Sequence, residues 1–514
     1  MTQSSFWHDR PAGPEKNRLF LSGTLLVYCT VELIAMFLHP MWRDEIHPFA
    51  MAGAGGTLGN LLRLKAVEGH PDLWYILVYT LRIFTANPLA VQLFHSAIAI
   101  TTAFLVIRYA PFSRLQRLLM VMGYFYLFEY AVISRNYAIG ILGMVLLLIL
   151  YPQRLKRPLL PACILFLMMQ ASVYGLIMAG AFILTWSSEV CFSAGSREEM
   201  RRNRAGHILA LIVILAGFAL SVASIIPPKN GFFAGSAEFD LRDLTLRKLI
   251  RSVGMIWNAW IPIPATLPHF WNTNLAGPAI LRCLLALAIV IPASLLLARR
   301  PRALLLFLSG TIGILLFVNL FYFGYLRHHG HHFILFTASM WLYRLVPERQ
   351  SPPGKLFTWL HLTPERLINL FFTFFLTVQT VGGLFAVAVQ SVTPFSASRQ
   401  TACFIREHHL DRFTIAGDQD ICLEPVAGYL NRDLFFLSRS QAGSFLQYDS
   451  RRKRPENYNP LVIVDSLSRS TGDTLLLIMN YPLIRVTWDL IPVTQFTRTV
   501  LEDESCYLYL LPPR

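Results

Sequence analysis

Charge is scarce in this chain. Of its 514 residues only 15% are charged, 45 Lys and Arg against 30 Asp and Glu, where a soluble globular chain carries about 25%. With 54% hydrophobic residues and a mean hydropathy of +0.48, the deficit excludes an ordinary soluble enzyme. Other absences narrow the reading. The seven cysteines form no CxxC pair and no metal-ligand spacing, which removes thiol–redox and zinc-finger chemistry. Cys403, Cys422 and Cys506 lie in the polar tail, and one disulfide could form there if that tail faces an oxidising compartment. There is no glycine-rich nucleotide fingerprint; Gly417 alone makes none. The net charge of +15 lacks the interleaved aromatics of a single-strand binding surface, so nucleic acid is not an expected partner. The first apolar run, residues 19–38, is too long for a signal-peptide core and has no small-residue cleavage site.

What the chain does have is a series of apolar runs separated by short basic loops. A span needs about 20 apolar residues, and short Lys/Arg-rich loops face the cytoplasm. The N-terminal arm, with Arg10, Lys16 and Arg18, is therefore expected inside. Spans are expected at 19–38, 91–107, 115–129 and 137–151, as a hairpin over 159–187, and at 208–226, 280–298, 303–322, 333–345 and 367–389. The loops with Arg154, Arg201, Arg299, Arg349 and Lys355 then all face the cytoplasm. The expected fold is a polytopic α-helical membrane protein of about eleven spans, with the tail outside. The membrane region covers 1–394, with outer loops at 39–88 and 227–275. Leu73–Phe84 is too short to cross and reads as an interfacial or re-entrant helix, with Trp74, Tyr75 and Tyr79 at headgroup level. In the second outer loop Leu246, Leu249, Ile250, Val253, Ile256 and Trp257 recur at helical spacing, interleaved with Arg242, Arg247, Lys248 and Arg251. That is the pattern of an interfacial amphipathic helix. Residues 395–514 read as a small extracytoplasmic α/β domain, with strands at 413–416, 461–464 and 475–479 and helices at 399–408 and 424–430.

This threading sends the unusual polar residues to one face. Asp44, Glu45, His47, Glu68, His70 and Asp72 come from the first outer loop. Glu129, Ser134, Arg135, Asn136 and Tyr137 come from the second, and Arg327 with His328, His329, His331 and His332 from a late one. Polar groups near membrane depth are functional candidates by default. Asp44 is either a surface carboxylate paired with Arg43 or a general base, which must sit within hydrogen-bond reach of the proton it removes. Glu45 could do the same work, but neighbours point different ways and one of the two faces the site; we favour Asp44. His70 is a substrate contact or a helix cap before Pro71. Glu129 either pairs with Arg135 or binds sugar hydroxyls. Arg327 suits a phosphate, because its fork of donors matches phosphate oxygens; His328 could join it. The adjacent histidine pairs, 328/329 and 331/332, read as interfacial hydrogen-bonding groups rather than zinc ligands.

At these residues the chain resembles the GT-C fold membrane glycosyltransferases, the group that includes protein O-mannosyltransferases and the aminoarabinose transferases of lipid A. The resemblance rests on the acidic pair Asp44-Glu45 after the first span, on the stretch His70-Pro71-Asp72-Leu73-Trp74-Tyr75, on the segment from Glu129 to Tyr137, and on a late outer Arg327. It covers roughly residues 15–345. It departs from the family at Asp72, where a second Pro is usual, and at the RHHGHH stretch. It implies a sugar donor linked to polyprenyl phosphate, an extracytoplasmic transfer, and Asp44 as catalytic base. Glu68, His70, Glu129, Arg135, Asn136 and Tyr137 would contact sugar or acceptor, and Arg327 with His328 would hold the lipid phosphate. No cofactor is required, although a divalent metal could assist at Asp44. The expected partners are the lipid-linked sugar, membrane lipid and an acceptor the sequence does not name. The expected location is a bacterial inner membrane. A transporter or flippase is the competing class; it predicts internal repeats and broken mid-membrane spans, and no repeat is apparent.

Overall fold

The apolar runs fold into helices that pack around an aromatic core. The computed structural model describes residues 14–226, 244–347, 363–448, 451–453, 457–483 and 490–513. Arg10, Arg349 and Lys355 of the basic loops and Arg242 of the amphipathic segment lie outside the described residues. Among the described residues seven helices are long and apolar enough to cross a membrane: Asn17–Leu38, Leu89–Tyr109, Val173–Phe192, Arg204–Ile225, Ala279–Leu297, Pro301–Leu320 and Pro364–Val392. Their outer faces stay apolar and exposed, as at Leu211, Ile212 and Leu215 on Arg204–Ile225, which is the surface lipid requires. The chain is an integral membrane protein.

The other four expected spans take different forms, so the long helices account for seven of the expected eleven. The 115–129 run breaks into Arg114–Val121 and a π-helical turn, Phe125–Glu129, in which Tyr130 N donates to Phe125 O at 3.0 Å. Tyr137–Leu150, Leu159–Ala171 and His331–Leu345 are helices of 14, 13 and 15 residues. The last is buried on every side from His331 to Tyr343, which is why its sequence is apolar all round. The 159–187 hairpin turns at Ser172, whose hydroxyl accepts from Gly175 N at 2.9 Å. A Cβ at Gly175 would collide with Met168 O, so only glycine fits this turn. The amphipathic segment forms Leu246–Trp260, capped by Thr245; Trp260 closes it inside the core, 4.3 Å from the Phe336 ring.

Helix Leu73–Phe84 forms as expected, but Trp74 and Tyr75 turn inward and are buried. Tyr75 is drawn in by a hydrogen bond to Glu68, and Trp74 packs edge-on to His95. Toward the C-terminus a six-stranded sheet runs β3-β2-β1-β4-β6-β5. Its strands are β1 Thr414–Asp418, β2 Leu434–Phe436, β3 Gln441–Gly443, β4 Leu475–Met479, β5 Ile491–Phe496 and β6 Cys506–Leu511. β2, β1 and β4 are parallel, and the outer strands antiparallel. The run at 461–464 is not a strand. Asn459 caps it, Pro460 fills the first helical position and Gly472 ends it at φ 65, so local signals fix a helix, Pro460–Thr471. All seven cysteines are free; Cys422 Sγ donates to Asp503 O at 2.7 Å, and no disulfide closes the tail.

Candidate active site

The first loop residues fold as a second helix, Arg43–Gly55, directly after the first span. Glu45 fixes its start. The Glu45 carboxylate accepts from Trp42 N at 3.2 Å, contacts His39 Nε2 at 2.7 Å, and accepts from Ser134 N at its other oxygen. Glu45 is fully buried, and these bonds use both of its oxygens. It ties the helix to the 125–136 segment rather than facing a substrate.

One residue earlier, Asp44 points to the opposite side. Its Oδ2 meets Arg327 Nη2 at 2.8 Å, and its backbone carbonyl accepts from Arg135 Nη1. The carboxylate keeps 29% of its side-chain surface open. Burial pushes its pKa up, but Arg327, Arg135 and Arg43 together hold it below the usual carboxylate range. Arg43 itself is spent elsewhere: it pairs with Asp503 at 2.7 Å and Glu504 at 3.7 Å. The two loops that carry Asp44 and Arg327 therefore meet on one face, as the charge parity required.

Arg327 sits in an aromatic cage. Its guanidinium carbon lies 5.2 Å from the Trp42 ring, 5.4 Å from Trp271 and 5.0 Å from Tyr325. Such faces attract and orient a guanidinium. Tyr130 OH donates to the Arg327 carbonyl at 2.6 Å, pinning the short helix Leu326–His329 to the π-helical segment. His328 does not add a cation. Its Nδ1 accepts from Tyr325 N at 2.8 Å, and burial together with Arg327 holds its pKa well below the usual value. It is a neutral cap against Tyr137, Tyr174 and Tyr322.

Glu129 does not pair with Arg135. It accepts from Tyr124 OH at 2.7 Å and Trp271 Nε1 at 3.0 Å, while Oε1 is buried without a partner. It thus holds Trp271 beside Arg327 and keeps one unspent oxygen. Asn136 is likewise structural, donating to Ala171 O at 2.7 Å. Tyr137 is buried in the ring cluster with Tyr130, Tyr174, His328 and His331. His70 is half-buried; burial first and Arg135 second push its pKa down to about 4, so it is neutral near pH 7. Asp72 pairs with Lys65, a buried lysine that also donates to Ser224 O at 3.0 Å.

Glu68 belongs to a different assembly, one that the sequence did not reveal. His47 is held by Glu68 at Nε2 and by Glu424 at Nδ1, the latter at 2.6 Å, and Tyr75 OH donates to Glu68. Burial lowers the pKa of His47, but the two carboxylates outweigh it and raise it well above the usual value. Glu424 comes from helix Asp420–Leu430 next to β1. The same region supplies Tyr429 OH, which accepts from Met41 N at 2.8 Å, and Ser398 Oγ, which donates to Met41 O at 3.0 Å. The C-terminal region thus grips the helix that bears Asp44. His47 lay within the acidic loop, but nothing local marked Glu424 as its partner. Trp271, from the 227–275 loop, and Tyr325, two residues before Arg327, complete the cage, and nothing local marked either as a partner of the guanidinium. Among the described residues no three His, Cys, Asp or Glu side chains converge as a metal-ligand set.

No model of a known protein family matches the chain, and no curated protein does. Solved structures do. ArnT from Cupriavidus metallidurans in the apo state shares 14% identity at a TM-score of 0.52, over 97% of this chain and 99% of that one. ArnT from the same organism bound to undecaprenyl phosphate shares 12% identity at a TM-score of 0.48, over 98% and 100%. At such identity the likeness is one of fold, and the fold this chain carries is the GT-C fold of ArnT.

Proposed function

We propose that this protein transfers a sugar from a polyprenyl-phosphate carrier to an acceptor hydroxyl at the extracytoplasmic face of a bacterial inner membrane. One observation carries the reading: in a GT-C fold, a part-exposed carboxylate, Asp44, is paired with a caged arginine, Arg327, at 2.8 Å. Arg135 brings a second cation to the backbone carbonyl of Asp44. The donor phosphodiester carries one negative charge, and Arg327 can present its fork to it. As Arg327 turns to the phosphate, Asp44 loses its strongest stabilising charge and its proton affinity rises. Asp44 then takes the proton of the acceptor hydroxyl. The acceptor oxygen bonds to the anomeric carbon as the bond from that carbon to the phosphate oxygen breaks. The leaving phosphate gains a second negative charge, which Arg327 and Arg135 stabilise. Attack from the face opposite the leaving group inverts the anomeric centre.

In this scheme His70, neutral and half-buried, and the unspent oxygen of Glu129 contact the sugar or acceptor. Glu45, Glu68 and Asn136 hold the frame. No cofactor is needed; a divalent cation at Asp44 would only supplement the charge of Arg327. Residues 395–514 form an outer domain that steadies the Asp44 helix, with the N-terminus cytoplasmic. The test is product formation by purified protein given candidate polyprenyl-phosphate sugars and acceptors, wild type beside Arg327→Ala. Loss of product and of polyprenyl-phosphate binding together supports the scheme. Undiminished product from Arg327→Ala overturns it.

A further inference from the structure

A second site lies away from Asp44, where two membrane helices end together. Helices Pro14–Leu38 and Pro364–Val392 reach the same face, and their last residues, Leu38 and Val392, line a cavity of about 540 Å³. Its polar wall holds Arg399, Arg498, Gln390, Gln400 and Gln495, and no acidic residue lines it. Arg399 is built in: it donates to Phe37 O at 2.9 Å and Leu38 O at 3.1 Å, the carbonyls left open at a helix end. Arg498 is exposed and has no acidic partner among the described residues. Directly beneath, the helix surfaces are apolar and open: Ile34, Phe37 and Leu38 on one, Val381, Leu384 and Val392 on the other. Cations placed just above an exposed apolar strip sit at the depth of lipid phosphates.

We infer that this cavity binds the phosphate headgroup of an anionic glycerophospholipid, with the acyl chains against the exposed faces of the two helices. The charge complement argues for an anionic lipid over a zwitterionic one. Two arginines and no carboxylate leave nothing to receive a headgroup ammonium, whereas a glycerol headgroup can hydrogen-bond the Gln400 and Gln495 amides. The cavity also touches the frame of the reaction site, since Gln390 in its wall contacts His39 Nδ1 at 2.8 Å and His39 contacts Glu45. The binding test does not depend on any transferase activity.

The full chain would be reconstituted with equal amounts of phosphatidylglycerol and phosphatidylcholine and the retained lipid measured by native mass spectrometry. Wild type should retain phosphatidylglycerol preferentially. Arg498→Gln should weaken that retention roughly fivefold and the Arg399→Gln/Arg498→Gln double variant about thirtyfold. Arg399 supports a helix end, so Arg498→Glu, which touches no structural partner, gives the decisive single variant and should abolish the preference. Equal retention of both lipids by wild type, or an unchanged preference in Arg498→Glu, would overturn the assignment. Displacement of the lipid by millimolar inorganic phosphate would also overturn it, by showing a phosphate site rather than a lipid site.

Discussion

Replacing Glu424 by Gln should loosen the helix that carries Asp44, although Glu424 lies nearly four hundred residues along the chain. Gln keeps the shape and one acceptor but removes the charge opposite His47. His47 stays ionised in the variant, because Glu68 still holds its other nitrogen. The His47 imidazolium still donates to the Gln amide, so what is lost is the carboxylate's share of a charge-assisted bond, on the order of 1.5 kcal/mol. The pair is buried, with side-chain exposures of 10% and 1%, so solvent screening does not reduce the difference. The expected weakening is about 1.5 kcal/mol, or roughly tenfold in the local opening equilibrium. Hydrogen–deuterium exchange reads this directly. Amides in Arg43–Gly55 should exchange about ten times faster in Glu424→Gln, while Arg204–Ile225 stays unchanged. Glu424→Ala should be worse, because it also leaves a cavity. Unchanged exchange over 43–55 in both variants would refute the claim that the C-terminal region grips this helix.

Other consequences follow from the same geometry. The folded pKa of His47 is raised, so its contribution to stability is fully present below the unfolded value of about 6.5 and is lost as pH rises through the folded value. Thermal stability should fall on the alkaline side in wild type, and this slope should flatten in His47→Gln. Gly330→Ala would drive a methyl into the Phe125 ring and the Tyr130 hydroxyl; we expect about 1–3 kcal/mol of destabilisation in thermal unfolding. Arg327→Lys keeps the charge but loses the fork and the stacking on Trp42, Trp271 and Tyr325, so turnover should fall by at least about tenfold. His70 is neutral above about pH 4, so His70→Asn should lower turnover without changing the shape of the pH–rate profile between pH 5 and 8.

Much of this arrangement was legible from local sequence. The long apolar runs marked their helices because lipid demands uniform apolarity. Asp44, Arg135 and Arg327 were legible as a group because loop-charge parity placed three distant loops on one face. What failed had a common cause. The 461–464 run is apolar enough to read as a strand, and only Asn459, Pro460 and Gly472 at its ends mark it as part of a helix. The runs expected as spans at 137–151, in the first half of 159–187 and at 333–345 form shorter helices, and apolarity alone does not tell a crossing from a core helix, since a helix buried in protein is as apolar as one in lipid. Glu45 and Asn136 looked like site residues because sequence shows a polar group but not whether backbone groups already use it. The Glu68–His47–Glu424 chain was invisible for the reason that governs all tertiary pairing: its partners are set by packing of the C-terminal region, with no spacing rule to find them.

The proposed chemistry depends above all on Asp44 as the base. The most direct measurement is single-turnover transfer from a polyprenyl-phosphate sugar by Asp44→Asn, with exchange over 43–55 confirming an intact fold. A general base contributes about 10²–10⁴-fold, so the rate should drop by at least about a hundredfold while donor binding persists. A correctly folded Asp44→Asn protein that turns over at the wild-type rate would contradict the account.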